Sequence, residues 1–225
     1  MRLLASIAQK LDGDMPSASL RVADIVEGVC AHGTFYRYFT DMSAALESLL
    51  SSFVEHLTNG MSEARSGEAA SPERVHAATL AYVRLFRSNT GLMRCLMALA
   101  PGESSAKMRY HALNKEWNGR VARALAAKHL RSGKKPSVPA SAFLITAYAL
   151  GGMVDEFLAN LYLRGDPVLQ DLAESEEVVA DLLTAIWLRG ADANPTPRGQ
   201  AKSTTRTNVA DKPGRLRATA QPSAR

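Results

Sequence analysis

The chain is poor in the residues and patterns that usually carry chemistry. It has two cysteines in 225 residues, Cys30 and Cys95. Two thiols make no disulfide framework, so the expected setting is reduced and cytoplasmic. Each is read as a small buried packing residue. There is no Gly-rich phosphate loop, no HExxH, no paired-cysteine motif and no serine in a strained strand-to-helix elbow. No enzyme and no cofactor are therefore expected. His111 and His129 have no carboxylate or cysteine at ligand spacing, which argues against a metal and reads both as surface residues. No stretch alternates apolar and polar residues over enough positions to make a strand. The uncharged stretch from Val138 to Val154 is broken by Pro, Ser, Thr and two Gly, so no membrane span is expected. The N-terminus lacks the apolar run and cleavage site of a secretory signal.

What the chain does have is a core and an uneven charge. Apolar residues make up 46%, enough to bury a sizeable interior. The formal net charge is +5, and residues 190–225 supply all of it, with seven Lys/Arg against two Asp. That segment has four Pro and no aromatics, and reads as a disordered basic tail. Lys107 to Lys135 holds nine basic residues and one acid. Asp166 to Asp181 holds six acids and no base, and residues 1–57 stand at net −3.

Apolar spacing of three and four residues predicts an all-α chain of about nine helices. Leu4, Ile7, Ala8 and Leu11 mark the first. Val22, Ile25, Val26 and Val29 mark a second over Leu20 to Val29, with Gly28 where a turn should begin. A short third helix covers about Ala31 to Tyr38. A long helix follows, capped by Thr40 or Asp41. Ser71-Pro72-Glu73 is a helix start, with a cap, a proline at the first position and an acid in the first turn. Further helices cover Gly91 to Leu99, Ala106 to Leu130, Ala140 to Arg164 and Asp171 to Arg189. Gly151-Gly152 inside a helix reads as a site of close packing.

Aromatics are only 6% of the chain, yet Phe35, Tyr36, Tyr38 and Phe39 fall within five positions. On a helix Phe35 and Phe39 share a face and would be buried. Tyr36, Arg37 and Tyr38 then point elsewhere. Three short helices with a glycine turn between the second and third suggest a helix-turn-helix, whose last helix enters the major groove. Thr34, Tyr36 and Tyr38 offer hydroxyls to phosphate oxygens. Arg37 offers a fork to a phosphate or a guanine edge. Gly33 would let DNA approach the backbone, and His32 is a candidate base contact.

The stretch "VADIVEGVCAHGTFYRYFTDMSAAL" resembles the DNA-binding signature of the TetR family of bacterial repressors. That resemblance implies an N-terminal helix-turn-helix domain over 1–40 and a helical ligand-binding and dimerisation domain over 41–189, ahead of the tail that composition marks over 190–225. It implies phosphate contacts from Thr34, Tyr36 and Tyr38, groove-facing His32, Gly33 and Arg37, and a backbone contact from Arg21. Three features depart from the family pattern. The turn between Asp24 and Gly33 is one residue short, Met42 stands in place of a phosphate-binding Lys, and no basic arm precedes the first helix.

One helix-turn-helix reads only a few base pairs, so a homodimer on a pseudo-palindromic operator is expected, with half-sites ~34–36 Å apart. Ala140–Arg164 and Asp171–Arg189 would form the seam. The middle helices would enclose a small-molecule effector among Phe53, Met61, Tyr82, Phe86, Met93, Met97, Tyr110 and Trp117. Such a ligand is largely apolar. The basic run reads by default as a solvated helix face with a charged loop, and its alternative reading is a guide for an anionic group on the ligand. The competing expectation is a dimeric all-α binding protein with weak or lost DNA binding, given the net −3 of residues 1–57.

Overall fold

Leu3, Ile7 and Leu11 lie one helical turn apart, and all three are buried on the first helix. The same logic runs through the whole computed structural model, which describes residues 2–13, 15–60, 71–100, 102, 104–132 and 138–192. The N-terminal helices are α1 (Arg2–Asp12), α2 (Val22–Val26) and α3 (His32–Tyr36). There follow α4 (Met42–Gly60), α5 (Pro72–Ser88), α6 (Thr90–Ala98), α7 (Ser105–Arg131), α8 (Ala140–Leu158), α9 (Pro167–Leu172) and α10 (Glu176–Asp192). A π-helical turn, Ala159–Leu163, continues α8.

The fold is all-α as expected, with two corrections. The last segment is two helices, because the Ser175 hydroxyl accepts the Val178 N–H at 3.2 Å and opens a new helix at Glu176. α10 then passes the expected end at Arg189 and reaches Asp192, which pairs with Lys128 of α7. The expected tail otherwise falls on 193–225, outside the described residues.

Polar groups fix where the helices begin and how they meet. Asp41 accepts the Ala44 N–H at 2.8 Å and caps α4. Ser71 caps α5, and Asp166 caps α9 through the Val168 and Leu169 N–H groups. Ser104 caps α7, and Glu47 of α4 also accepts the Ala106 N–H at 2.9 Å, tying α4 to the start of α7. Three of the six acids of the 166–181 stretch are committed to α5. Glu176 and Glu177 pair with Arg84, Glu176 with Arg87, and Asp181 with His76. Lys107 is the unexpected member of the basic run. It is buried, and its ammonium donates to the Leu96 carbonyl at 2.8 Å and the Met97 carbonyl at 3.4 Å, closing the C-terminal end of α6.

One large apolar cluster joins α1–α3 to α4, α5, α6, the π turn and α10. A smaller one, around Leu125, Phe143 and Ala147, holds α7 to α8. Cys30 and Cys95 pack on the large cluster half-buried rather than fully buried. His129 is half-buried too, its ring 5.6 Å from that of Phe143, whereas His111 is exposed. The helix Ala140–Leu163 is long and apolar enough to cross a membrane by length and composition. Here it packs along α7 and α10 and buries Phe143, Ala147, Leu150 and Leu158.

The N-terminal helices rest directly on the rest of the chain through α6. A Cβ on Gly91 would lie 2.4 Å from the Leu11 carbonyl carbon and 2.7 Å from the Asp12 nitrogen. Only a glycine allows that approach, and the Gly91 N–H donates to the Asp12 carboxylate at 3.1 Å.

Candidate nucleic-acid interface and ligand cavity

The geometry of the N-terminal unit starts from a tight turn. Val26 to Val29 is a type II turn. Glu27 has φ −54° and ψ 120°, Gly28 has φ 69°, and the Val29 N–H donates to the Val26 carbonyl at 3.0 Å. That turn needs a positive φ at its third residue, which glycine supplies. It ends α2 at Val26 rather than at Val29. Asp24 accepts the Arg21 N–H at 3.2 Å, and Ser6 of α1 donates to the Ile25 carbonyl at 3.0 Å. Both bonds fix α2 before the turn.

α3 ends at Tyr36, short of the expected Tyr38. It and the turn that continues it are rotated by two phenylalanines, Phe35 on the helix and Phe39 just beyond it. Phe35 is fully buried, worth ~1.5–3 kcal/mol. Phe39 is half-buried against it, with ring centroids 5.6 Å apart. Their common face points inward, so the others are turned out. Tyr36 is 54% and Tyr38 70% exposed. His32, Gly33 and Arg37 are exposed as well, and the His32 ring leans on Tyr36 at 5.6 Å. Thr34 is half-buried at the edge of this face, and Arg21 is exposed at the start of α2. A Cβ on Gly33 would meet no atom within 4 Å. The fold itself does not require a glycine there. Met42 is half-buried against the core and offers nothing to a phosphate.

A second feature is a cavity of about 340 Å³ bordered by α4, α5, α7, α8 and α10. Tyr82, Tyr110 and Trp117 line it, as the sequence suggests. Phe53, Phe86 and Met93 do not, because they are buried in the core, and Met97 packs on that core. Met61 lies outside the described residues. The sequence reading missed Tyr148, Asp155 and Trp187, which also line the cavity. Gly151 and Gly152 open its wall. A Cβ on Gly151 would reach Asn118 at 3.3 Å, which fits close packing, while one on Gly152 would meet nothing within 4 Å.

Tyr82 donates to the Asp155 carboxylate at 2.7 Å. Burial raises the Asp155 carboxyl above the usual range, and the Tyr82 bond opposes this in part. Burial, reinforced by the Asp155 charge, pushes the Tyr82 phenol well up. At the cavity border Arg74 and His111 are exposed, and Arg120 pairs with Glu116.

No family model matches the sequence, and no curated protein matches it. Solved structures do. The transcriptional regulator FadR from Bacillus subtilis, in complex with stearoyl-CoA, is similar at 14% identity and a TM-score of 0.61, over 84% of this chain and 98% of that one. The TetR-family regulator PfmR from Thermus thermophilus is similar at 18% identity and a TM-score of 0.61, over 84% and 98%. A regulator of the TetR/AcrR family from Thermobifida fusca is similar at 17% identity and a TM-score of 0.56, over 84% and 95%. At these identities what is shared is the fold, and it is the fold of the TetR-family transcriptional regulators.

Proposed function

We propose that this protein is a sequence-specific DNA-binding transcriptional regulator, a repressor that works as a homodimer on a pseudo-palindromic operator and answers to a small molecule. The observation that carries the reading is the outward face of α3. Two phenylalanines anchor it, and two tyrosines, an arginine, a histidine and an unneeded glycine are left facing solvent. Exposed aromatic rings bring no gain to a solitary fold. They suit a partner with anionic oxygens and flat base edges. Tyr36, Tyr38 and Thr34 would hold phosphates, Arg37, His32 and Gly33 would face the groove, and Arg21 would touch the backbone.

Residues 1–40 are thus the reading domain, and 41–189 bind the effector and the second subunit. α8 and α10 support the dimer. They leave Leu144, Ile145, Tyr148, Leu182 and Ile186 exposed on two neighbouring helices. Covering such a face is what a second copy would do. The mostly apolar cavity is the effector site. Its occupant must bind the DNA-incompetent state better than the DNA-bound one. A coupling of ~1–3 kcal/mol would weaken operator binding roughly 5–150-fold. A regulator of this kind works in the cytoplasm.

The test is selection of random duplex DNA by the purified protein at about 0.1 M salt. An enriched inverted repeat is expected. Tyr36→Ala or Tyr38→Ala should weaken binding to every duplex, whereas Arg37→Ala or His32→Ala should change the preferred bases. If nothing is enriched and none of these variants matters, the half-buried Met42 and the net −3 of residues 1–57 favour the second reading, a binding protein without a DNA role.

A further inference from the structure

The cavity wall carries one carboxylate, that of Asp155, and no ion pair offsets it among the described residues. Its partner is the neutral Tyr82 hydroxyl. Thr79, Tyr110, Asn114 and Asn118 are further polar groups of the wall, and none carries a positive charge. A carboxylate enclosed among apolar atoms is costly unless it is paired. The groups around it suggest what the pair would be. Tyr82, Tyr110, Trp117, Tyr148 and Trp187 surround the space with aromatic rings, whose faces attract cations.

The basic run on α7 left room for a ligand of the opposite sign, but three of its nine charges are engaged elsewhere and, of its described residues, only Arg120 lines the cavity. Lys107 closes α6, Arg120 pairs with Glu116, and Lys128 pairs with Asp192. Arg74 and His111 border the cavity from exposed positions, where salt screens them. The interior carboxylate is not screened in this way.

Resting on the reading of this cavity as the effector site, we propose that it takes a lipophilic cation: an apolar molecule bearing one protonated amine or quaternary ammonium. The positive group sits against Asp155 and Tyr82, and the apolar body lies between Trp117, Tyr148 and Trp187. The volume of about 340 Å³ suits a small amphiphile of that kind.

The protein carries its own reporter. The chain has two tryptophans, and both line the cavity. Tryptophan fluorescence is therefore titrated, without DNA, with three ligands of one chain length: octyltrimethylammonium, 1-octanol and octanoate. Octyltrimethylammonium should bind about tenfold or more tightly than the other two. Asp155→Asn should remove that preference while leaving 1-octanol binding within about threefold, since an apolar body gains little from the carboxylate. The proposal is overturned if octanoate binds as tightly as the ammonium, if none of the three binds, or if the preference survives in Asp155→Asn. Should that variant not fold, the order of the three ligands on the unaltered protein decides alone. Because no DNA is present, a failure to read an operator leaves this result intact, and the reverse also holds.

Discussion

Replacing Gly91 by alanine adds a single methyl at the seam between α6 and α1, and the structure says what that methyl meets. The obstacles are backbone atoms, at 2.4 Å (Leu11 carbonyl carbon), 2.5 Å (Leu11 oxygen) and 2.7 Å (Asp12 nitrogen). None is the end of a flexible side chain, so the helices must part by roughly 1 Å to restore ordinary contact. Overpacking of this kind costs ~1–3 kcal/mol. Parting the helices also strains the 3.1 Å bond from the Gly91 N–H to the Asp12 carboxylate, a charge-assisted bond worth ~1.5–3 kcal/mol if lost. Alanine returns at most ~1 kcal/mol through its better helix propensity. The net loss is about 2–4 kcal/mol. For a domain of this size that lowers the melting temperature by roughly 5–15 °C. Thermal unfolding followed by far-ultraviolet circular dichroism measures it directly. A Gly91→Ala protein that melts within about 2 °C of the parent would refute the backbone-to-backbone seam.

Three further outcomes follow from the same structure. Gly33→Ala should leave the melting temperature unchanged or raise it slightly, because the added methyl meets nothing, yet weaken duplex binding in a gel-shift titration by about tenfold; loss of stability would show that the glycine is structural. Glu47→Gln should destabilise by about 1 kcal/mol at pH 7. Burial would raise this carboxyl, but the bonds from Ser105 and the Ala106 N–H outweigh it and hold it below the usual range. Such a carboxylate stabilises above its unfolded pKa and loses that contribution as pH falls through the folded value. The gap to the parent in urea melts should therefore close below about pH 4. Ile145→Glu puts a charge on the exposed apolar face of α8 and should turn a dimer into a monomer in sedimentation velocity, with unchanged circular dichroism; an unchanged sedimentation coefficient would place the seam elsewhere.

The helices and the outward face of α3 were legible because they obey local rules. Ser71-Pro72 starts α5 where capping chemistry says it should, and the phenylalanine spacing alone sets which way Tyr36 and Tyr38 face. Longer-range geometry was not legible. α2 ends early because Gly28 takes a left-handed φ, a choice visible only with the turn in hand. Tyr148 and Asp155 share a strip of α8 with Gly151 and Gly152, and α8 has apolar residues around most of its circumference, so spacing could not say which strip faced a cavity and which a partner. Phe53, Phe86 and Met93 looked equally suited to a cavity and went to the core. Nor does a lysine in a basic run announce that it will bend onto the end of another helix, as Lys107 does.

That lysine gives α6 a mechanical character. At its first turn α6 is seated on the α1 backbone through Gly91, and at its last turn its carbonyls are gripped by Lys107 from the first turn of α7. α7 goes on to supply Tyr110 and Trp117 to the cavity wall. A nine-residue helix, ~13 Å long, shortens only by breaking hydrogen bonds. Fastened at both ends, α6 is placed as a strut between the start of α7 and α1, the helix on which α2 packs, and α2 in turn packs on α3.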